Sequence, residues 1–86
     1  MRLLWEDRAW SDYLYWQTQD KKTLKRINAL IKDIQRSPYE GIGKPEPLRG
    51  NLSGLWSRRI DETNRIGYFE QEEVVYIISC LGHYDD

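Results

Sequence analysis

Residues 55–81 read LWSRRIDETNRIGYFEQEEVVYIISCL and hold three candidate strands separated by short polar segments. The candidate strands, at 55–61, 65–70 and 74–81, each contain β-branched and aromatic residues, which pack well on a pleated sheet. The polar segments, at 62–64 and 71–73, have the length of turns that join neighbouring antiparallel strands. The stretch therefore predicts a three-stranded antiparallel meander.

The first twenty residues predict a strand followed by a helix. Residues 2–5 form a short, mostly apolar strand. Asp7 is suited to cap a helix, because its carboxylate can accept a hydrogen bond from a first-turn N–H group. Helical spacing then places four large side chains on one side of this helix: Trp10, Tyr13, Leu14 and Trp16.

A second helix is predicted to begin at a cap on Asp20 and to end before Pro38, since proline disfavours helical geometry in the preceding residue. Its apolar side recurs at helical spacing: Leu24, Ile27, Leu30, Ile31 and Ile34. Three prolines and four glycines between 38 and 54 predict a long loop with fixed bends. The fold class is therefore α+β, with a short N-terminal strand, two helices packed on one sheet face, and the meander.

The composition fits one small domain spanning 1–86. With 40% hydrophobic residues, the chain of 86 can bury one modest core. No apolar run has the length of a membrane span, and the N-terminus lacks the apolar stretch of a signal peptide. The single cysteine, Cys80, lies in an apolar run, which predicts a buried, inert thiol. These features predict a cytoplasmic protein without a membrane partner.

The charge is unevenly distributed, although the formal net charge is only -1. Residues 1–43 carry eight basic and six acidic residues, and residues 44–65 carry five and three. Residues 66–86 carry five acidic residues and no Lys or Arg. A basic face that could attract nucleic acid can therefore coexist with an acidic C-terminal third, although charge alone favours ordinary solvated charges.

The loop sequence GKPEPLR at 43–49 holds a carboxylate between two prolines. Both rings fix φ, which lowers the entropy cost of aiming the Glu46 side chain. An aimed carboxylate suits a general base. The alternative is a surface glutamate in a stiff turn. Lys44 and Arg49 flank it with positive charge.

Arg58, Arg59 and Arg65 lie around one predicted hairpin. A three-residue turn at 62–64 would pair Asp61 with Arg65 and put Arg59 and Arg65 on one sheet face, with Arg58 on the other. A two-residue turn at 63–64 would instead place Arg65 with Arg58. Two guanidiniums on one face could bind a phosphate and stabilise extra charge on it. Surface salt bridges are the alternative use.

His83 is the only histidine, and it follows the last apolar run. Imidazole titrates near neutral pH, so it can act as acid or base. The neighbouring Tyr84 can stack on a base or pack against the sheet edge. One His and one Cys do not make a usual zinc site, and no nucleotide-binding glycine motif is present. The sequence predicts no metal and no cofactor.

Several long motifs together resemble the YoeB family of toxins, within the RelE-like group of bacterial toxin–antitoxin systems. They are WSDYLYW at 10–16, DKK at 20–22, INALI at 27–31, GKPEPL at 43–48, LSGLWSRRI at 52–60, Arg65, Tyr68 and the pair His83–Tyr84. The resemblance covers nearly the whole chain and implies the RelE-like microbial RNase fold.

The resemblance implies a ribosome-dependent mRNA endoribonuclease that cuts mRNA in the A site of the 70S ribosome without a metal. Glu46 would be the general base for the 2′-hydroxyl, Arg65 the main transition-state cation and His83 the general acid. Lys44, Arg49, Arg59 and Tyr84 would support substrate binding. The implied partners are a YefM-type antitoxin, operator DNA reached through that antitoxin, and a second copy in a homodimer.

The sequence departs from the family pattern near its C-terminus. Leu81 and Gly82 replace a basic and an aromatic residue, and Asp85–Asp86 extend the chain. Asn64 stands where histidine is frequent, and Gly67 where a β-branched residue is usual. The changes leave open a catalytically weakened homologue that acts mainly as an antitoxin-binding co-repressor. A small RNA-binding domain without catalysis is a third reading.

Overall fold

The computed structural model describes residues 1–84, so the tail at Asp85–Asp86 lies outside the described residues. The chain forms five strands, two α-helices and one 3-10 turn in the order β1 (Arg2–Trp5), α1 (Asp7–Gln19), α2 (Lys21–Arg36), β2 (Glu46–Pro47), the 3-10 turn (Gly50–Leu52), β3 (Trp56–Arg59), β4 (Arg65–Gln71) and β5 (Val74–Ser79). Neither helix in this part of the chain is long and apolar enough to cross a membrane.

The five strands form one mixed sheet in the order β1-β5-β4-β3-β2. The meander β3-β4-β5 is antiparallel, as predicted. Strand β1, which precedes both helices in the chain, pairs with β5 in parallel. One core lies between the helices and a single sheet face, with Ile27, Leu30 and Ile34 of α2 packed among Ile66 and Ile77. The predicted α+β class, with helices on one sheet face, is confirmed.

Helix α2 matches its prediction. Asp20 caps it by accepting hydrogen bonds from the backbone N–H groups of Lys22 and Thr23, at 3.0 and 3.4 Å. Four of the five predicted apolar residues are buried and Leu24 is partly buried. The stripe was readable because each of its positions carries a large aliphatic side chain at an unbroken 3–4 spacing.

Helix α1 corrects two predictions. Its N-cap is Glu6, and Asp7 is already the first helical residue. Its buried residues are Ala9, Asp12 and Trp16, whereas Trp10 and Leu14 are 46% and 44% exposed. The buried side is inconspicuous in the sequence because it contains a small residue and an acid. Asp12 is buried because it accepts a hydrogen bond from the backbone N–H of Cys80, at 3.0 Å.

The strand β2 within the long loop was not predicted. Glu46 pairs with Ser57 and Pro47 with Trp56, which places β2 at the open edge of the sheet. An edge strand tolerates proline because one side of the strand needs no ladder hydrogen bonds. Strand β1 has its predicted bounds. Each strand of the meander differs from its predicted bounds by one or two residues at one or both ends, as at β5, which ends at Ser79 and not at Leu81.

The β3–β4 connection is longer than either predicted turn. Arg59 pairs directly with Arg65, so five residues, 60–64, form the connection and Asp61 does not pair with Arg65. The Asp61 carboxylate instead accepts hydrogen bonds from the backbone N–H groups of Thr63 and Asn64, at 2.8 and 2.6 Å. Asp side chains favour such local turns over a ladder. The predicted division of faces still holds, because Arg59 and Arg65 are partners and Arg58 points the other way.

Arg58 is fully buried on the helix side and fastens the loop to the core. It donates to Asp33 of α2 at 2.6 Å and to the carbonyl oxygens of Ser37, Glu40 and Ile42 at 2.6, 3.1 and 3.1 Å. This buried ion pair with Asp33 was not predicted from the sequence. These hydrogen bonds fix the backbone of the loop at residues 37–42, a few residues before Glu46, and so help to fix the position of β2.

Cys80 is buried, as predicted, and burial raises the pKa of its thiol to about 12. Only the thiolate reacts readily with disulfide reagents. We therefore expect no reaction of the native protein with Ellman's reagent at pH 8 over the time in which the urea-unfolded chain reacts completely. A stoichiometric reaction of the native protein at the unfolded rate would contradict this.

Candidate active site

Four cross-strand partners cross the sheet in one row on the face away from the helices. Glu46 of β2 pairs with Ser57 of β3, Ser57 with Gly67 of β4, and Gly67 with Ser79 of β5. Small residues occupy the last three positions, and the row of four is called the floor below. The register of four neighbouring strands thus brings the predicted base into line with three small residues on the open face.

Glu46 and Arg65 are in direct contact. Arg65 Nη1 donates to Glu46 Oε1 and, at 3.0 Å, to Ser57 Oγ. The Arg65 side chain is 20% exposed and that of Glu46 is 51% exposed, so the pair lies at the rim of the floor, open to solvent. Two residues that are 19 positions apart in the chain therefore form one carboxylate–guanidinium unit.

Both hydrogen bonds that the Arg65 guanidinium donates within residues 1–84 come from Nη1. A guanidinium has five N–H donors in a planar fork, which suits bidentate binding of a phosphate. An incoming phosphate can therefore approach the Nε and Nη2 side of the fork. It would also compete with Glu46 for the cation.

Arg59 adds a second cation beside this unit. It is the cross-strand partner of Arg65 and its side chain is exposed. Its backbone is held on both sides, since its N–H donates to Gly43 O at 2.6 Å and its carbonyl accepts from Arg26 Nη2 at 3.2 Å. Like charges directly opposite each other repel, and the Glu46 carboxylate offsets that repulsion.

The C-terminal segment 82–84 lies along the same face. Gly82 O accepts from the Arg65 backbone N–H at 2.7 Å, and Tyr84 covers Gly67 while its hydroxyl contacts Ser79 Oγ. His83 lies between these two attachments and is exposed. The segment therefore brings the predicted acid and its tyrosine neighbour to the face that carries the Glu46–Arg65 unit.

Lys44 and Arg49 are exposed at the two ends of the GKPEPLR loop. Lys44 has a left-handed backbone with φ of 53°, and Arg49 comes just before the 3-10 turn. Neither side chain forms a hydrogen bond or ion pair with another residue in the part of the chain that the structure describes. They contribute positive charge beside β2 and do not enter the Glu46–Arg65 contact.

Sequence reasoning did not single out the floor residues Ser57 and Ser79 or the support pair Asp33–Arg58. Asp33 sits next to the apolar stripe of α2, and its side chain is only 14% exposed. Hydrogen bonds from Arg36, from the Ile42 N–H and from Arg58 hold the pKa of this carboxyl well below its usual range. The position of Asp33, next to the apolar face of α2, could have indicated that this carboxylate has a buried basic partner.

The arrangement can support acid–base chemistry on a phosphodiester. A carboxylate for proton removal touches a cation for phosphate binding, a second guanidinium adjoins it, and an imidazole and a phenol lie on the same face. Such groups provide proton transfer and stabilise charge that develops on a phosphate. The structure gives the positions of these residues, and their roles remain predictions.

Comparison with known proteins identifies the family. The family of YoeB-like toxins of bacterial type II toxin-antitoxin systems matches residues 5–84. Toxin YoeB of Escherichia coli K12 is 54% identical over 84 residues, which is 98% of this chain and 100% of that protein.

Solved structures give the same result. The YoeB dimer from Staphylococcus aureus has a TM-score of 0.90 at 44% identity, with 98% of each chain covered. A chain of the heterotetrameric YoeB-YefM toxin-antitoxin complex from the same organism has a TM-score of 0.89 at 44% identity and the same coverage. With a matching fold, a family match over nearly its whole length and a relative more than half identical, this chain belongs to the YoeB-like toxins of bacterial type II toxin-antitoxin systems.

Proposed function

We propose that this toxin is a ribosome-dependent mRNA endoribonuclease that cuts mRNA in the A site of the 70S ribosome and thereby inhibits translation. The observation that carries the proposal is the contact between Glu46 and Arg65 on an open sheet face, beside Arg59 and the segment that holds His83. These are the groups that cleavage by an internal 2′-hydroxyl requires.

Glu46 acts as the general base. In the free protein its carboxylate is paired with Arg65. When the scissile phosphate binds the guanidinium fork, it takes over part of that pairing, and the carboxylate turns to the ribose 2′-hydroxyl. Glu46 removes the hydroxyl proton while the 2′-oxygen attacks phosphorus, and Arg65 with Arg59 stabilises the added negative charge.

His83 acts as the general acid. The bond between phosphorus and the 5′-oxygen breaks, and the imidazolium of His83 transfers its proton to that oxygen. The products are a 5′-hydroxyl end and a 2′,3′-cyclic phosphate, which can open to a 3′-phosphate. Tyr84 orients the substrate, and Lys44 and Arg49 attract the RNA backbone. No step in this scheme uses a metal or a cofactor.

The partners follow from the same assignment. The YoeB-YefM complex from Staphylococcus aureus supports a YefM-type antitoxin as a partner of this protein. In this proposal the antitoxin neutralises the toxin and carries it to operator DNA. The YoeB dimer of that organism supports homodimer formation in this protein as well. The activity requires ribosomes and mRNA, so the protein acts in the cytoplasm.

A weakened toxin is the second candidate. Residues 66–86 carry five acidic residues and no Lys or Arg, so the segment around His83 lacks the cations that would attract RNA. In that case the protein would bind its antitoxin tightly and act mainly as a transcriptional co-repressor.

A translating extract programmed with one defined mRNA separates the two functions. We expect the purified toxin to produce cuts in phase with codons, mapped by primer extension, and we expect none on an mRNA whose start codon is removed. His83→Gln should reduce cleavage by about 100-fold or more, because a general acid contributes a factor of that order. Tight antitoxin binding without codon-phased cuts would favour the co-repressor, and cuts on untranslated mRNA would contradict ribosome dependence.

A further inference from the structure

We propose that Asn64, Gly67 and Ser79 are positioning residues that together form a seat for the C-terminal segment 82–84 and so hold His83 beside Arg65. The inference rests on the proposed function for its kinetic consequence. The three residues are called the C-terminal seat below. Asn64 and Gly67 are also two of the positions at which the sequence departs from the family pattern.

Asn64 attaches the start of the segment. Its Oδ1 accepts a hydrogen bond from the Gly82 backbone N–H at 2.8 Å, while Gly82 O accepts from the Arg65 N–H at 2.7 Å. The Asn64 amide is itself fixed, because its Nδ2 donates to both carboxylate oxygens of Asp61 at 3.2 Å. The backbone N–H of Gly82 is therefore bound to Asn64 and its carbonyl oxygen to Arg65.

Gly67 makes room for the end of the segment. A Cβ atom at this position would lie 2.5 Å from Cζ and 2.8 Å from Cε2 of Tyr84, which is inside van der Waals contact. The backbone of Gly67 does not have a positive φ, so it is compatible with any L residue. Glycine is needed here for the space that the tyrosine ring occupies, not for its conformational freedom.

Ser79 fixes the tyrosine hydroxyl. In the β4–β5 ladder Gly67 pairs with Ser79 but Tyr68 pairs with Ile77, so the register shifts by one residue between them. By simple alternation Ser79 would share the helix-facing side with Ile77. The shift redirects it to the open face, where its Oγ contacts the Tyr84 hydroxyl. Such irregularities commonly redirect a side chain near a functional site.

The two attachments bracket His83. Residue 82 is tied to residues 64 and 65, and residue 84 is tied to residues 67 and 79, so the backbone of His83 is held on both sides. A short segment fixed at both ends loses most of its conformational freedom before substrate binds. Holding a catalytic group in place before the reaction lowers the entropy cost of the transition state.

The single histidine offers a readout that does not depend on activity. The only imidazole in the chain gives one set of carbon-bound proton signals in NMR. We expect Gly67→Val to shift and broaden these signals at fixed pH, because the valine side chain displaces Tyr84. Asn64→Ala should do the same. Asn51→Ala is the matched control, since Asn51 is exposed and its side chain makes no hydrogen bond within residues 1–84.

A double-mutant cycle separates the seat from a general effect on folding. Gly67→Val should lower kcat of ribosomal cleavage by about 100-fold, the cost of a misplacement near 1 Å. In a Tyr84→Gly background the same valine should change kcat by less than about twofold, because the ring it displaces is absent. The melting temperatures of Gly67→Val and Tyr84→Gly, measured in parallel, show how much of any kcat loss reflects a general effect on folding.

The experiments test the C-terminal seat separately from the proposed endoribonuclease function. Wild-type protein that does not cut mRNA refutes the proposed function, and the His83 spectra then decide whether the seat exists. Wild-type His83 signals in both Gly67→Val and Asn64→Ala would overturn the seat, as would equal kcat losses from valine with and without Tyr84. If Gly67→Val does not fold, the Asn64→Ala spectrum decides, with Asn51→Ala as its reference.

Discussion

Glu46→Gln should reduce the single-turnover rate of mRNA cleavage on programmed ribosomes by about 100- to 10,000-fold, the usual contribution of a general base. Glutamine keeps the size of the side chain and can still accept a hydrogen bond from Arg65, so the position of the guanidinium is preserved. What is lost is the ability to take the 2′-hydroxyl proton. The rate is measured from the loss of full-length, end-labelled mRNA in samples taken by quenched flow or by hand, with the toxin at a saturating concentration.

Glu62→Gln is the control for that variant. It removes the same negative charge from an exposed site in the 60–64 connection, and the Glu62 side chain forms no hydrogen bond or ion pair within residues 1–84. We expect its cleavage rate to stay within about twofold of wild type, in line with other surface substitutions. A Glu46→Gln rate equal to that of Glu62→Gln would exclude Glu46 as the base.

Arg58→Ala should lower the free energy of unfolding by about 3–5 kcal/mol, the usual cost of removing one partner from a buried ion pair. The change removes the only buried cation that pairs with Asp33 in the described residues, although Arg36 and the Ile42 N–H still donate to that carboxylate. It also leaves the carbonyl oxygens of Ser37, Glu40 and Ile42 without the Arg58 donor. Urea unfolding followed by tryptophan fluorescence measures the effect. Arg59→Ala, the next residue on the open face, is the control and should cost less than about 0.5 kcal/mol.

The same network predicts a specific acid sensitivity. Hydrogen bonds from Arg36, the Ile42 N–H and Arg58 lower the pKa of Asp33 in the folded protein. A lowered folded pKa stabilises the protein above the ordinary aspartate value of about 3.9, and that stability is lost as pH falls toward the folded value. Stability of wild type should therefore fall more steeply below pH 4 than that of Asp33→Asn. Parallel curves would show that Asp33 does not contribute.

Much of the fold could be predicted because its elements have regular patterns. Helix α2 repeats large aliphatic residues at 3–4 spacing, and the meander alternates apolar runs with short turns. The buried side of α1 escaped prediction because Ala9 and Asp12 look unlike core residues. Asp12 becomes a core residue only through its bond to the Cys80 N–H, a partner 68 positions away.

The candidate site was predictable as a set of residue types and not as an arrangement. Glu46, Arg65 and His83 were chosen because their chemistry suits phosphodiester cleavage and because the motifs resemble a known family. The proximity of Glu46 to Arg65 depends on strand β2. A strand of only two residues in a proline-rich loop has no pattern from which it could be predicted. The register of β3 and β4 likewise depended on a local turn that Asp61 forms with its neighbours.

The sequence by itself determined the α+β class, the helix-capping role of Asp20 and the opposite faces of Arg58 and Arg59. These features depend on periodicity and on bonds between near neighbours, which a short window of sequence contains. Only the tertiary structure decided that Arg58 supports the loop from inside, that Glu46 contacts Arg65, and that Gly67 makes room for Tyr84. These contacts join residues 17 to 25 positions apart, which meet only when helix α2, the strands and the C-terminal segment pack together.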